Sequence, residues 1–192
     1  ELIDYDNQYA SAYPALASAY LKENQYQKAL KAAQEGLGVD QYNEQLYTLA
    51  AEIASHLGDY PLMGKYLSTA HQLAPDNLTI ALQYSNYLLQ QHRYQDNIDL
   101  LKPIEEEHEV DPQVEWNLAQ SYLALEKFDQ AGQAFETALP AYQDNPTFLR
   151  QLIDYYQQSG QRDQLIDELE RYVELVPTDT EMVDLLDSYR DF

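Results

Sequence analysis

Apolar and small residues recur along the chain with a helical spacing that is interrupted at regular intervals. In one stretch they are Leu118, Ala119, Tyr122, Phe128, Ala131, Phe135, Ala138 and Leu139. Steps of three and four residues place side chains on one face of a helix, whereas the step of six after Tyr122 crosses a turn. The pattern therefore predicts two amphipathic helices joined by a short loop.

This two-helix pattern repeats with a period of 34 residues, marked by Tyr26, Tyr60, Tyr94, Phe128 and Arg162. A fixed period of this length indicates stacked helix pairs, each of which buries its apolar face against its neighbours. The predicted units are 10–43, 44–77, 78–111, 112–145 and 146–179. Residues 180–192 are interpreted as a C-terminal capping helix, in preference to the start of a sixth unit, with an acidic outer side formed by Glu181, Asp184, Asp187 and Asp191. All of 1–192 is predicted to form one domain.

The predicted turns carry residues that suit them. Within the units, the loops contain Asn24, Gly58, His92, Glu126 and Gly160 at the same period, and Gly and Asn favour the left-handed conformation that ends a helix. Between the units lie Asp111-Pro112, Asp144-Asn145-Pro146 and Pro177-Thr178-Asp179. Such residues are expected to cap the next helix or to occupy its first turn.

The order of residues within each unit resembles the tetratricopeptide repeat. The second unit has Tyr47, Ala50, Ala51, Ala54, Tyr60, Leu67, Ala70 and Pro75 in the family's order, while the third and fifth depart from it at Asn97, Ile153, Leu165 and Arg162. The resemblance covers residues 10–179. It implies an all-α, right-handed superhelical solenoid of five tetratricopeptide-type helix pairs plus a C-terminal helix. Phe128 is expected to be buried between pairs, so its truncation to Ala would cost about 3–5 kcal/mol.

In this family the first helices line a concave face that binds peptides or a partner helix. The matching slots predict a partner-binding surface made of Thr48, Glu52, Leu82, Gln83, Asn86, Gln113, Trp116, Asn117, Gln120, Arg150 and Asp154. Trp is common at binding hot spots, and the amides of Asn86, Asn117 and Gln120 suit an extended backbone. An alternative stays open for Trp116, in which it packs against the neighbouring helix. Asp154 is expected to pair with Arg150.

Charge narrows the class of partner. The chain has 33 acidic against 11 basic residues, a net charge of −22. Nucleic acid and anionic membranes are therefore disfavoured, and a neutral or basic protein or peptide is favoured. The family's slots for binding a C-terminal carboxylate hold Pro14, Ser18, Leu49, Thr79 and Gln83, so an acidic C-terminal peptide would be a poor ligand.

Candidate chemistry is scarce. The chain has no Cys, and its four His residues include no pair three or four apart on a helix. No phosphate-binding loop or nucleophile motif is present, so no catalytic site, metal or cofactor is predicted. We expect a non-catalytic interaction scaffold. The alternatives are a regulatory receptor for a small signalling peptide and a module that dimerises through its terminal helices.

Composition by analogy suggests a bacterial, cytoplasmic protein. The start at Glu1 suggests a piece of a longer chain, in which Leu2 and Ile3 would pack on the first unit.

Overall fold

A computed structural model describes residues 12–107 and 111–190, and within these ranges the secondary structure is entirely helical. The helices are α1 Ala12–Lys22, α2 Tyr26–Val39, α3 Glu44–His56, α4 Tyr60–Leu73, α5 Leu78–Gln90, α6 Tyr94–Glu107, α7 Pro112–Ala124, α8 Phe128–Tyr142, α9 Pro146–Ser159, α10 Arg162–Leu175 and α11 Thr180–Arg190. Helices α3, α5, α7 and α9 begin where the sequence predicted new units. None of these described helices is both long enough and apolar enough to cross a membrane.

The helices fall into two compact units, Glu1–Leu88 and Leu89–Phe192. The first contains α1–α4 and most of α5, and the second contains the last residues of α5 and α6–α11. The single domain predicted over 1–192 stays a prediction. Several expectations lie outside the described residues: the unit start at Ala10, the packing of Leu2 and Ile3, and the positions of His108, Glu109, Asp191 and Phe192.

In the first unit, small residues allow the helices to approach closely, as the pattern predicted. Ala17, Ala29, Ala33, Ala50, Ala54, Ala70 and Ala81 are completely buried. At Gly36 a Cβ atom would lie 2.7 Å from both Leu46 Cδ2 and Tyr13 Cβ. Because α2 meets its neighbours at this distance, only glycine fits there.

In the second unit, large side chains form the core around α7, α8 and α9. Phe135 and Phe148 are fully buried, and their rings meet edge to face with centroids 5.7 Å apart, a favourable aromatic geometry. Leu101, Leu118, Leu149, Leu152 and Leu169 complete this core. The polar residues Asn97, Glu115, Asn117, Ser121 and Glu168 are buried as well.

The expectation that Phe128 is buried is wrong. Phe128 is only half-buried, and Tyr60 at the same point of its unit is 46% exposed. Both are the first residue of a helix, where the Cα–Cβ bond tilts toward the N-terminus and so directs the side chain over the turn. The cost predicted for a buried phenylalanine therefore does not apply to Phe128.

Two glycines in the second helices contact the hydroxyl ends of tyrosines from the following first helix. In the first unit, a Cβ on Gly64 would lie 2.3 Å from Tyr87 Oη, and in the second unit a Cβ on Gly132 would lie 2.2 Å from Tyr155 Oη. Both tyrosines are buried. The two pairs are related by two repeat periods, so one local packing solution occurs twice.

The turns within the repeats adopt the predicted left-handed conformation. Gly58 and Gly160 have φ of 72° and 74°, and Asn24, His92 and Glu126 each have φ of 56°. His92 and Glu126 adopt this conformation despite having a Cβ atom, which disfavours it.

We expect Glu126→Gly to raise the free energy of unfolding by about 0.5–1 kcal/mol, because glycine removes the left-handed penalty but gains flexibility in the unfolded chain. The matched change, Gly160→Ala, should lower it by about 1 kcal/mol. A Cβ on Gly160 meets nothing within 4 Å, so this loss comes from the backbone alone. Urea unfolding of both variants measures the two changes. A Gly160→Ala protein that is more stable than wild type would contradict the left-handed conformation of Gly160.

Side-chain caps begin the first helices at the repeat period. Asn43, Asn77, Asp111, Asn145 and Asp179 each accept a hydrogen bond from a backbone N–H in the first turn of the following helix. Such caps satisfy donors that have no partner inside the helix. The cap expected at Asp111-Pro112 is confirmed, and Pro112 lies in the first turn of α7.

Candidate functional site

Trp116 on α7 packs within the second unit and stays partly accessible. Its ring centroid lies 4.7 Å from that of Tyr142 on α8 and 5.4 Å from that of Phe148 on α9. Of the two alternatives left open by the sequence, this contact matches packing against neighbouring helices. Trp116 is half-buried, so part of the residue stays exposed to solvent.

Two amide side chains and the indole form a hydrogen-bonded group between α7 and α9. Trp116 Nε1 donates to Gln151 Oε1 at 2.7 Å, and Gln151 Nε2 donates to Gln120 Oε1 at 3.4 Å. Gln120 Nε2 in turn contacts the carbonyl oxygen of Trp116 at 3.4 Å. Contacts within the chain therefore fix the orientation of the indole.

Asn117 does not reach the surface. It is fully buried, its Oδ1 accepts from Gln113 Nε2 at 2.8 Å, and its carbonyl oxygen accepts from Asn97 Nδ2 at 3.1 Å. Gln113 Oε1 also accepts from the Tyr142 hydroxyl at 3.0 Å. Asn117 therefore orients the Gln113 side chain from within the core. Its slot in the repeat had instead predicted a position on the binding surface.

The expected ion pair between Arg150 and Asp154 is wrong. Arg150 Nη1 donates to Asp179 Oδ2 at 2.9 Å, and Nη2 donates to Glu181 Oε2 at 2.5 Å. An acid four residues after a base on a helix is the weaker arrangement of such a pair, and two carboxylates at the start of α11 are within reach instead. The hydrogen bond from the Tyr172 hydroxyl is the largest cause that lowers the pKa of Asp179. Asp179 thus connects α9 and α10 to α11.

A groove of about 870 Å³ lies between α9 and α11, and we call it the α9–α11 groove. Its apolar lining includes Ile153, Met182 and Leu185. Its charged lining consists of Asp154, Glu181, Asp184 and Arg150, three carboxylates against one guanidinium. The groove therefore combines apolar surface with an excess of negative charge.

Sequence reasoning missed the half of this groove that α11 provides. Asp184, Leu185 and Ser188 lie one period of 34 residues after Arg150, Gln151 and Asp154. The repeat register was thus sufficient to identify these three residues. They were missed because residues 180–192 were interpreted as a cap, and the register was therefore not extended beyond α9. Glu181 and Asp184, predicted on an acidic outer side of the cap, line the groove instead.

A smaller groove of about 360 Å³ lies on the other side of α9. Gln120 and Leu123 of α7 line it together with Gln151 and Asp154 of α9. Gln151 and Asp154 also line the α9–α11 groove, so α9 is a ridge between two depressions. The structure therefore brings together Trp116, Gln120, Arg150 and Asp154 of the predicted surface.

The predicted residues of the first unit lie on α3 and α5. Glu52, Gln83 and Asn86 are exposed, and Leu82 is half-buried. Thr48 Oγ1 donates to the carbonyl oxygen of Gln45 at 2.8 Å, a bond within its own helix.

Comparison with known proteins agrees with the repeat pattern. Residues 112–179 match the family model of the YpiA-like C-terminal tetratricopeptide repeats. Over 175 residues the chain is 30% identical to the TPR repeat-containing protein YpiA of Bacillus subtilis strain 168. The chain is a tetratricopeptide-repeat protein. The match covers 91% of the chain but only 41% of that relative, and its bacterial source agrees with the predicted origin.

Solved tetratricopeptide-repeat structures share the fold at low sequence identity. YrrB, described as a TPR protein with an unusual peptide-binding site, is 14% identical with a TM-score of 0.80, over 96% of this chain and 95% of that one. A MamA fragment from Desulfovibrio magneticus RS-1 is also 14% identical, with a TM-score of 0.79 over 90% and 98%. These likenesses confirm the all-α tetratricopeptide fold.

Proposed function

We propose that this tetratricopeptide chain is a non-catalytic interaction module that binds a neutral or basic polypeptide segment along α7, α9 and α11. The observation that supports this most directly is the α9–α11 groove, with its apolar lining and its three carboxylates against one guanidinium. Burial of apolar surface would provide affinity, and charge would select the partner.

Two carboxylates are available for a basic partner. In the described ranges, Asp154 and Asp184 are exposed and take part in no ion pair, whereas Arg150 is neutralised by Asp179 and Glu181. The net charge of −22 adds a long-range field that attracts cations. A lysine or arginine that entered the groove would thus meet unpaired acids.

Amide side chains support contacts to the main chain of the ligand. Gln151 and Gln157 line the groove and carry both donors and acceptors, which suit an extended peptide of any sequence. The solved relative YrrB is described as having a peptide-binding site, which makes this use of the fold a reasonable model. In the first unit, Thr48, Glu52, Leu82, Gln83 and Asn86 occupy the equivalent slots and remain candidates for contact.

The test is selection of short peptides from a random library on the full chain, because extended and helical segments both bind in grooves of this kind. We expect the selected peptides to be rich in Lys and Arg. Asp154→Asn combined with Asp184→Asn should weaken their binding at least about tenfold, as measured by fluorescence anisotropy, and added salt should weaken it further.

The matched control is Asp163→Asn with Asp167→Asn, which removes two acids from exposed positions on α10 and keeps the net charge equal. These variants should retain the affinity. Selection of acidic peptides, or equal loss in both double variants, would refute the groove assignment. A mass that rises with protein concentration, with no selected peptide, would instead favour self-association.

A further inference from the structure

A carboxylate is buried where the other repeats have an apolar or half-buried residue. Glu115 on α7 is 5% exposed, and its equivalents one and two periods away are Tyr47, Ala81, Leu149 and Val183. It lines a cavity of about 400 Å³ between α6, α7 and α8, which we call the Glu115 cavity. Its carboxylate oxygens still reach solvent through this cavity, and a partner of opposite charge would stabilise them there.

The charged groups around the Glu115 cavity do not provide that partner. Helix α6 contributes Lys102, Glu105 and Glu106, and Lys102 Nζ is bonded to Glu105 Oε2 at 2.5 Å. Helix α7 adds the Tyr122 hydroxyl, and the α8 side of the lining is uncharged, with Gln130, Gln133, Ala134 and Thr137. Among the described residues, none forms a hydrogen bond or a close ion pair with the Glu115 carboxylate.

The electrostatic cost appears in the titration of this group. The pKa of Glu115 is raised to about 7: burial is the largest cause, the charge of Glu105 adds to the shift, and that of Lys102 opposes it. A cation placed beside the carboxylate would offset this cost.

We infer that the Glu115 cavity receives a lysine side chain from a partner polypeptide, with its ammonium group paired to the Glu115 carboxylate. The lining carries three carboxylates against the one ammonium of Lys102, which Glu105 already binds, so a further cation is favoured. A lysine has a long flexible stem with a compact charge and three donors, which suit the Glu115 carboxylate, the Tyr122 phenol and the glutamine amides on α8. Acidic and histidine side chains of the described residues form no group of three arranged for a metal ion, which favours an organic cation.

This site is separate from the surface of the proposed function. Glu115 and Tyr122 are seven residues apart and share one stripe of α7, whereas Trp116 and Gln120 form another stripe that contacts α9. The α9–α11 groove and the Glu115 cavity can therefore be tested independently.

The test is NMR titration of the full chain with acetyl-Ala-Lys-Ala-amide, compared with the neutral norleucine analogue. At about pH 8 we expect saturable shifts at Glu115 and Tyr122 with the lysine peptide only. Glu115→Gln should weaken binding at least about tenfold. Because the peptide competes with the proton on Glu115, a change from about pH 8 to about pH 6 should weaken binding to wild type by a similar factor.

Glu136→Gln on the exposed side of α8 is the matched control and should bind as wild type does. Several outcomes would overturn the inference: equal binding of the norleucine peptide, no loss in Glu115→Gln, or an affinity that stays constant across this pH range, as ordinary surface acids would give. Equal binding by butylammonium would identify a free amine as the ligand. Displacement by calcium chloride at the same concentration would identify a metal site instead.

Discussion

Gly64→Ala is expected to lower the free energy of unfolding by about 3 kcal/mol, although alanine favours a helix by about 1 kcal/mol. The new Cβ would lie 2.3 Å from Tyr87 Oη, 2.4 Å from Cζ and 2.6 Å from Cε1. Three atoms of a buried ring must therefore move together, and overpacking exceeds the gain in helix propensity. Urea unfolding followed by circular dichroism measures the loss.

Gly132→Ala provides the matched comparison, because its Cβ would lie 2.2 Å from Tyr155 Oη but 3.0 Å from Cζ. We expect a smaller loss of about 1–2 kcal/mol. Tyr155→Phe should rescue much of it, despite removing the bond that Gln161 Nε2 donates to the hydroxyl at 2.9 Å. Tyr87→Phe should not rescue Gly64→Ala, because the ring carbons still clash. Equal rescue at both sites would show that the hydroxyl alone sets the packing.

Glu115→Gln is expected to stabilise the folded protein by about 2–3 kcal/mol at about pH 8 and to have little effect at about pH 4.5. Burial, the largest cause, raises the pKa of Glu115 from 4.5 to about 7. Between these two values the folded state binds the proton more tightly than the unfolded state, so stability falls as pH rises. Glutamine mimics the protonated side chain and removes this dependence.

The measurement is the free energy of unfolding as a function of pH for wild type, Glu115→Gln and Glu136→Gln. Glu136 is exposed, so its replacement should leave the pH dependence between about pH 4.5 and 8 as in wild type. A difference between wild type and Glu115→Gln that stays constant with pH would mean that the carboxylate titrates normally.

The sequence was sufficient to predict the fold because each signal was local and periodic. The left-handed turns at Gly58 and Gly160 and the cap at Asp111 depend on a few neighbouring residues. The error at Phe128 had a local cause too, since the pattern identifies an apolar residue but not the direction of its Cα–Cβ bond at a helix start.

The candidate site was only partly predictable. The repeat register identified Gln120 and Asp154, which line a groove in the second unit. It failed at Asn117, which is buried and accepts a hydrogen bond from Asn97 of another helix. It also gave the wrong partner for Arg150, which binds Asp179 and Glu181 at the start of α11. Both results depend on contacts between different helices, and the pattern of apolar and polar residues within one helix does not specify such contacts.

The glycine–tyrosine pairs imply that adjacent repeats are not interchangeable modules. The repeat between these two pairs has the opposite arrangement. At the equivalent positions it carries the bulky Ile98 on its second helix and the small Ser121 on the following first helix. Removal of residues 112–145 would place Ile98 where Gly132 now contacts Tyr155, so the close approach of that ring could not be kept. Removal of residues 78–145 would instead pair Gly64 with Tyr155 and preserve the contact, so we expect loss of these two repeats to cost less stability than loss of one.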